Sequence, residues 1–217
     1  MPLNNQGLSH KTTLYNVLQA LKDTINYNMN CVKIATVISF DKNTLTAKCR
    51  VNNKRLRQLK QDGNQILENY PDIFAKVHFL GWGDIGATFP VTEGMEGILL
   101  FNDRELETWY LTSEPGKLAY DRCHDLSDAI FICGLHSQPK LELLPYLENC
   151  LNLYYKQGSI QIQDGTVIIN GNTTINGNLQ VNGEIQATGD IIAGSISLQN
   201  HIHGGVETGS GNTSKPK

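Results

Sequence analysis

The chain lacks the patterns that define several common classes of protein. Only 18% of its 217 residues are charged, and its formal net charge is −3, so we expect it not to bind nucleic acid. It contains no apolar run near the roughly eighteen residues of a membrane span, so we expect it not to cross a bilayer by itself. Its five cysteines show no Cys-X-X-Cys spacing, which predicts free thiols rather than a disulfide framework.

Catalytic motifs are missing as well. There is no Gly-X-Ser-X-Gly, no Walker loop and no His-Glu-X-X-His, so the common hydrolase, nucleotide and metalloprotease signatures are excluded. Asp103, Glu105 and Glu107 lie beside Arg104 and indicate a charged turn. We therefore predict no enzyme activity, no catalytic residues and no small-molecule substrate.

A six-residue repeat fills the C-terminal third of the chain. Apolar residues recur at alternate positions within each unit, as in Val167/Ile169 and Leu179/Val181. Alternation of period two predicts a β-strand, and the Asp-Gly and Asn-Gly dipeptides predict tight turns between strands. The repeat is marked by its glycines, Gly165, Gly171, Gly177, Gly183 and Gly189.

Six residues are too few for one chain to enclose a core of its own. Three chains wound about one axis accept such units, and stacked strands would build a needle roughly 30–35 Å long. A left-handed β-helix with three hexads per coil is the alternative within one chain. The charged residues between Gly158 and Asn200 are Asp164, Glu184 and Asp190, but the regular apolar spacing argues against a disordered polar tract. We predict a homotrimer, with its coils either intertwined or separate.

The repeat leads to His201-Ile202-His203 near the C-terminus. In many proteins such a pair is a solvated surface feature. In a trimer, however, three chains bring six imidazole nitrogens to one axial point, which suits an octahedral metal such as iron, nickel or cobalt better than tetrahedral zinc. Six protein ligands leave no open position, so the predicted role is structural. An open catalytic site would need further ligands, and Glu207 is the one carboxylate that follows.

The N-terminal part predicts a helix followed by a small barrel. Apolar residues spaced three and four apart predict an amphipathic helix over Thr12–Asn28, packed on the barrel or on a neighbouring subunit. Short strands are predicted in Val32–Val51, Ala75–Phe79, Ile98–Phe101 and Thr108–Leu111, which fits a five-stranded barrel. Trp82 and Trp109 are expected in core or junction packing. The basic residues are interpreted as a solvated face: Lys48, Arg50, Lys54, Arg55, Arg57 and Lys60.

Two segments resemble the central spike proteins of contractile phage-tail baseplates. The first is the tip, Ser197-Leu198-Gln199-Asn200-His201-Ile202-His203-Gly204-Gly205-Val206, continuing to Thr213. The second runs from Phe89-Pro90-Val91-Thr92-Glu93-Gly94 through Met95-Glu96-Gly97-Ile98 to Trp109, and it continues at His124–Ala129. Together the resemblance covers most of residues 30–135 and 160–213.

The resemblance implies a mainly β homotrimer, with an N-terminal OB-like barrel followed by an intertwined β-helix needle. It implies one iron ion per trimer at the tip, bound by His201 and His203 of each chain. It also implies a virion protein of the tail baseplate tip, assembled in the host cytoplasm, that contacts baseplate hub or tail-tube proteins. Such a spike pierces the host outer membrane when the tail contracts.

The expected organisation has five parts. These are an N-terminal helix or arm (1–30), an OB-like barrel (31–140), a linker (141–158), a triple-stranded β-helix (159–200) and a metal-binding tip (201–217). The same repeat would also suit a trimeric short tail fibre or adhesin that binds a cell-surface receptor. Leu198–Lys217 contains no aromatic residue for such a contact, so the spike is the leading hypothesis.

Overall fold

The computed structural model describes residues 13–59, 65–116, 118–202 and 209, and the chain divides into two units at Pro145 and Tyr146. The helices are α1 (Leu14–Asn28) and α2 (Glu107–Thr112), with a 3-10 helix at Gln138–Leu143. The strands of the first unit are β1 (Val32–Asp41), β2 (Thr46–Val51), β3 (Arg55–Leu59), β4 (Gln65–Glu68), β5 (Ile73–Val77), β6 (Leu80–Trp82), β7 (Ile85–Ala87), β8 (Glu96–Phe101) and β9 (Ala129–Cys133). Those of the second unit are β10 (Leu151–Tyr155), β11 (Gly158–Gln163), β12 (Thr166–Asn170), β13 (Ile192–Ala193) and β14 (Ile196–Ser197).

Five strands close into a barrel in the order β1-β2-β5-β9-β8. All neighbours pair antiparallel except β5 and β9, which pair parallel at Lys76↔Ile130 and Val77↔Phe131. The predicted mainly β class and the five-stranded barrel are confirmed. The prediction for Thr108–Leu111 is wrong, since this segment lies in helix α2, and the fifth barrel strand is β9.

Side chains alternate between the inside and the outside of the barrel along its strands, and the inward ones form the core. The inward side chains along the strands are fully or nearly fully buried, and Phe131 and Leu99 are the largest of them. A pleated strand sends successive side chains to opposite faces, so the intervening residues face outward. The core of the barrel consists of Ala35, Val37, Ala47, Cys49, Val51, Ile73, Ala75, Val77, Val91, Leu99, Phe101, Ala129 and Phe131.

Helix α1 begins at a threonine cap. The Oγ1 atom of Thr13 accepts from the backbone N–H of Asn16 at 3.4 Å, which satisfies one of the donors left over at a helix start. The predicted helix is confirmed over Leu14–Asn28. Its apolar stripe, represented by Leu18, Leu21 and Ile25, remains at least half exposed, so packing on a neighbouring subunit stays a prediction.

The second unit is built on one meander. Strands β10, β11 and β12 pair antiparallel in sequence order, and β10 lies within the segment that was predicted as a linker. Asp164 and Gly165 form the β11–β12 turn, where Gly165 has a φ of +69°, and Gly171 follows β12 with a φ of +119°. Positive φ favours glycine, so the predicted Asp-Gly turn is confirmed here.

The following hexads form no strand in the single chain. Residues 171–191, all of which the structure describes, contain only bends and segments without regular secondary structure. A β-strand needs a neighbouring strand to pair its backbone groups, and the hexads alone provide no such neighbour in one copy. The strands predicted for this part of the repeat therefore remain a prediction about the assembled protein.

Among the described residues, no helix is long and apolar enough to span a membrane. All five cysteines lie in this part of the chain and carry free thiols, as predicted. Cys49 is buried in the barrel, whereas Cys31 and Cys123 are exposed.

Candidate metal-binding tip

A short hairpin precedes the histidines. Strands β13 and β14 pair antiparallel, with Ala193 opposite Ile196, and Gly194 turns the chain with a φ of +64°. One further backbone hydrogen bond extends the hairpin, in which the N–H of Leu198 donates to the carbonyl of Ile191 at 2.9 Å. The C-terminal segment is therefore held against residues that precede the hairpin.

The chain then turns instead of extending. The N–H of His201 donates to the carbonyl oxygen of Ser197 at 3.0 Å, and the N–H of Asn200 donates to Oγ of Ser197 at 2.9 Å. The alternation that would place Ser197, Gln199 and His201 on one face of an extended strand does not apply across this turn. Local hydrogen bonds through the serine replace the strand ladder here.

Asp190 closes the base of the turn. Its Oδ1 accepts from the backbone N–H of Gln199 at 3.1 Å. The Ser197 hydroxyl and the Gln199 amide both hydrogen-bond the carboxylate and hold the pKa of Asp190 below its ordinary value. Sequence reasoning missed this residue as part of the tip; the available signal was an aspartate before a short Gly-turn hairpin, where Asp commonly bonds nearby backbone.

The imidazole of His201 is anchored through one nitrogen. Its Nδ1 lies 3.0 Å from the carbonyl oxygen of Ser197 and 3.1 Å from that of Leu198. Carbonyl oxygens only accept, so Nδ1 must carry the proton, and the lone pair of a neutral ring then belongs to Nε2. Backbone anchoring of one nitrogen is the usual arrangement for a metal-binding histidine, and so His201 fits the role. His203 lies outside the described residues.

Within the part of the chain that the structure describes, no group of three or more His, Cys, Asp or Glu side chains is placed to hold a metal. The structure therefore brings together Asp190, Ser197 and His201, but it does not test the predicted pair of His201 and His203.

Apolar side chains line the second unit without being buried. Most of the repeat's apolar residues are between about 40% and 70% exposed, and Ile202 is 93% exposed. Large apolar surface of this extent is typical of a protein that contacts another chain. The residues concerned are Ile160, Ile162, Val167, Ile168, Ile169, Ile175, Leu179, Val181, Ile185, Ile191, Ile192, Ile196, Leu198 and Ile202.

Three residues of the basic stretch form ion pairs, namely Lys48, Arg50 and Arg55. Lys48 Nζ lies 3.0 Å from Asp72 Oδ2, and Arg50 Nε lies 4.0 Å from the other oxygen of the same carboxylate. Arg55 Nη2 lies 2.9 Å from Glu68 Oε2. These ion pairs fit the interpretation of a solvated face, since paired cations are less available to phosphates. Lys60 lies outside the described residues.

The β6–β7 hairpin presents an aromatic side chain to solvent. Trp82 is 90% exposed and pairs across the hairpin with Ile85, which is 82% exposed. Gly81 and Gly86 face each other so closely that a Cβ on Gly81 would lie 2.6 Å from Cα of Gly86. Neither Trp82 nor Trp109, which is 59% exposed, packs in the core of the single chain, and packing at a junction with another chain stays a prediction. The two glycines let a narrow hairpin carry Trp82 outward.

The chain matches two protein-family models. Residues 34–134, which run from β1 to the end of β9, match the phage protein Gp138 N-terminal domain. Residues 195–217, which include His201 and His203, match the GpV Apex motif. A search of the curated proteins finds no match.

The barrel match and the apex match define a structural component of the phage tail tip, and both families are structural rather than enzymatic. Within that class, both matched domains are markers of the phage baseplate central spike, a component of the virion. The resemblance predicted from the sequence and the predicted location at the tail tip are thereby confirmed.

Proposed function

We propose that the protein is a homotrimeric, membrane-piercing spike whose residues 159–200 form an intertwined triple-stranded β-helix. The observation that carries this proposal is the row of exposed apolar side chains through the hexads. One chain provides no partner strands for residues 171–191, whereas two symmetry mates would provide them on each face. Burying the row in a trimer gains about 25 cal/mol for each Å² of apolar surface removed from water.

The tip of this trimer binds one iron ion through His201 and His203 of each chain. The anchored Nδ1 of His201 supports the assignment, because a neutral ring protonated at Nδ1 carries its metal-binding lone pair on Nε2. When bound, the ion supplies a structural cross-link between three chain ends and adds its binding energy to folding. The choice of iron among octahedral metals rests on the resemblance to spike proteins, of which the apex match is the part that includes both histidines.

The first experiment is native mass spectrometry of untagged protein, which reads subunit count and bound metal together. The expected result is a trimer that carries one iron. A metal-free monomer would contradict both the needle and the tip. A metal-free trimer would leave the needle in place and overturn the metal site.

The second experiment replaces both ligands, His201→Ala with His203→Ala, and uses His136→Ala as the control. His136 lies in the first unit, where its Nδ1 contacts the carbonyl of Gly134 at 3.1 Å. The double variant should lose its metal and keep its circular dichroism spectrum and trimer mass. Full metal occupancy in the double variant would show that other residues are the ligands.

The spike docks on baseplate hub or tail-tube proteins through its barrel. The exposed Trp82 and Ile85 of the β6–β7 hairpin support this, because tryptophan is enriched among the residues that dominate protein interfaces. Trp82→Ala should weaken copurification with the hub and leave the trimer mass unchanged. Specific binding of the isolated trimer to whole host cells would instead favour the fibre or adhesin hypothesis.

Piercing of the host outer membrane is tested with tails that carry the double histidine variant. Such tails should assemble and contract, because the barrel is unchanged. They should permeabilise the outer membrane less efficiently than parent tails, since the tip loses its cross-link. Equal permeabilisation by variant and parent tails would show that piercing does not require the metal.

A further inference from the structure

A hydrogen-bonded path connects a carboxylate to the first tip histidine. Asp190 lies before β13, and its Oδ1 accepts from Gln199 N at 3.1 Å, so it joins the two ends of the hairpin segment. Gln199 lies in the turn directly after Leu198, whose carbonyl oxygen lies 3.1 Å from Nδ1 of His201. The carbonyl oxygen and the hydroxyl of Ser197 accept the hydrogen bonds that stabilise the turn leading to His201.

Ser197 is the central residue of the path. Its carbonyl oxygen accepts from both the backbone N–H and the ring Nδ1 of His201, each at 3.0 Å. Its Oγ accepts from Asn200 N at 2.9 Å. An oxygen that receives two bonds from one histidine fixes both the position of its Cα and the orientation of its ring. Any shift of Ser197 therefore moves the imidazole.

We infer that Asp190 is a positioning residue for the metal tip, which acts through Gln199 and the turn from Ser197 to His201 to set the orientation of the His201 imidazole. The inference rests on the metal site proposed above. Outer residues that orient a histidine ligand typically contribute 10- to 100-fold to metal affinity. In a trimer the effect would recur in each chain, because every copy presents its own His201.

Asp190 combines two properties that its position requires. A carboxylate accepts hydrogen bonds and donates none when ionised, and here it accepts from the backbone N–H of Gln199 at 3.1 Å. An asparagine could keep the bond from Gln199 through its amide oxygen. An alanine cannot keep this bond. Asp190→Asn therefore removes only the charge, whereas Asp190→Ala also removes the hydrogen-bond acceptor.

The test measures Co²⁺ binding to the metal-depleted trimer by chelator competition and visible absorption, with Co²⁺ as a spectroscopic probe for nitrogen ligands. Asp190→Ala should weaken binding by about 10- to 100-fold and change the ligand-field bands. Asp190→Asn should lie between Asp190→Ala and the parent. The control is Glu184→Ala, which removes an exposed carboxylate one hexad earlier and should bind as the parent does.

Two further readings separate positioning from general stability. In Asp190→Asn the ligand-field bands of the Co²⁺-loaded trimer should change, which a loss of general stability would not produce. Co²⁺ affinity and bands identical to the parent in Asp190→Ala would overturn the positioning role while the metal site stood. A parent trimer that binds no Co²⁺ and no iron would overturn the metal site itself, and this inference with it.

Discussion

The guanidinium of Arg122 holds the carboxylate of Asp128 at two points. Nε donates to Oδ2 and Nη2 donates to Oδ1, each at 3.0 Å, and Asp128 is only 1% exposed. The same Oδ1 accepts from the backbone N–H of Leu106 at 2.9 Å. The pair therefore fixes the entry to helix α2 against the start of barrel strand β9.

Removing the guanidinium should destabilise the barrel. Arg122→Met keeps the aliphatic part of the side chain but leaves the buried Asp128 carboxylate without its cation, and an uncompensated buried charge is costly. The midpoint of thermal unfolding should fall by about 5 °C or more. The control is Arg104→Met, because Arg104 and Asp121 form a 3.5 Å pair at the surface. Equal midpoints for the two variants would contradict the structural role of the buried pair.

A second prediction concerns the close approach of β8 and β9 at Gly97. A Cβ at this position would lie 2.7 Å from Cζ of Phe131 and would also contact the carbonyl oxygen of Ile132. Backbone cannot move aside as a flexible side chain can, so Gly97→Ala should cost roughly 1–3 kcal/mol in the free energy of unfolding. Urea denaturation of the variant and the parent measures this difference in the free energy of unfolding.

Gly116→Ala is the matched control for this substitution. The nearest atom to a Cβ at Gly116 is 3.8 Å away, so the change should stay within about 0.5 kcal/mol. A Gly97→Ala variant as stable as the Gly116→Ala variant would show that the two strands can separate locally without loss.

The barrel was largely predictable because its signal is local. Alternating apolar residues in β1, β2, β5 and β8 face one core, and each strand shows this in its own few residues. The strand prediction for Thr108–Leu111 failed because β-branched and aromatic residues favour strands, whereas one nearby carboxylate and one distant carboxylate favour a helix here. Glu105 accepts from Thr108 N at 3.1 Å and from its hydroxyl, and Asp128 accepts from Leu106 N.

Strand β9 was missed for a related reason. Ala129–Cys133 is an apolar run without alternation, and its place is set by parallel pairing with β5, which is far away in sequence. The exposure of Trp82 depends on the facing glycines of its hairpin. At the tip, the histidine pair was apparent from the sequence. The hydrogen bonds of Asp190 and Ser197 were not predictable, because they form across a turn that the six-residue period does not indicate.

A third prediction concerns the thiols. Burial raises the pKa of Cys49 to about 12, so at about pH 8 this thiol stays protonated and unreactive. Iodoacetamide should label Cys31 and Cys123, which are exposed, and should leave Cys49 unmodified until the protein is denatured. Peptide mapping by mass spectrometry measures each site. Labelling of Cys49 in the native protein at the rate of Cys31 would contradict its place in the core.

The last prediction concerns acid. Glu96 Oε1 lies 2.9 Å from Lys140 Nζ, and Oε2 accepts from Ser137 N at 2.8 Å. Together these contacts lower the pKa of Glu96 from 4.5 to about 2, and the hydrogen bond from Lys140 has the largest effect. A carboxylate whose pKa is lower in the folded state stabilises that state above its unfolded pKa, and this contribution is lost as pH falls through the folded pKa.

The barrel should therefore lose the contribution of Glu96 progressively between pH 4.5 and about 2. Glu96→Gln should lower the midpoint of thermal unfolding at about pH 7, and the gap to the parent should narrow across that acid range. Glu93→Gln changes the net charge equally at a neighbouring exposed position and serves as the control. A gap that stays constant down to about pH 2 would mean that the Glu96 charge does not stabilise the fold, and that the loss in Glu96→Gln comes from packing alone.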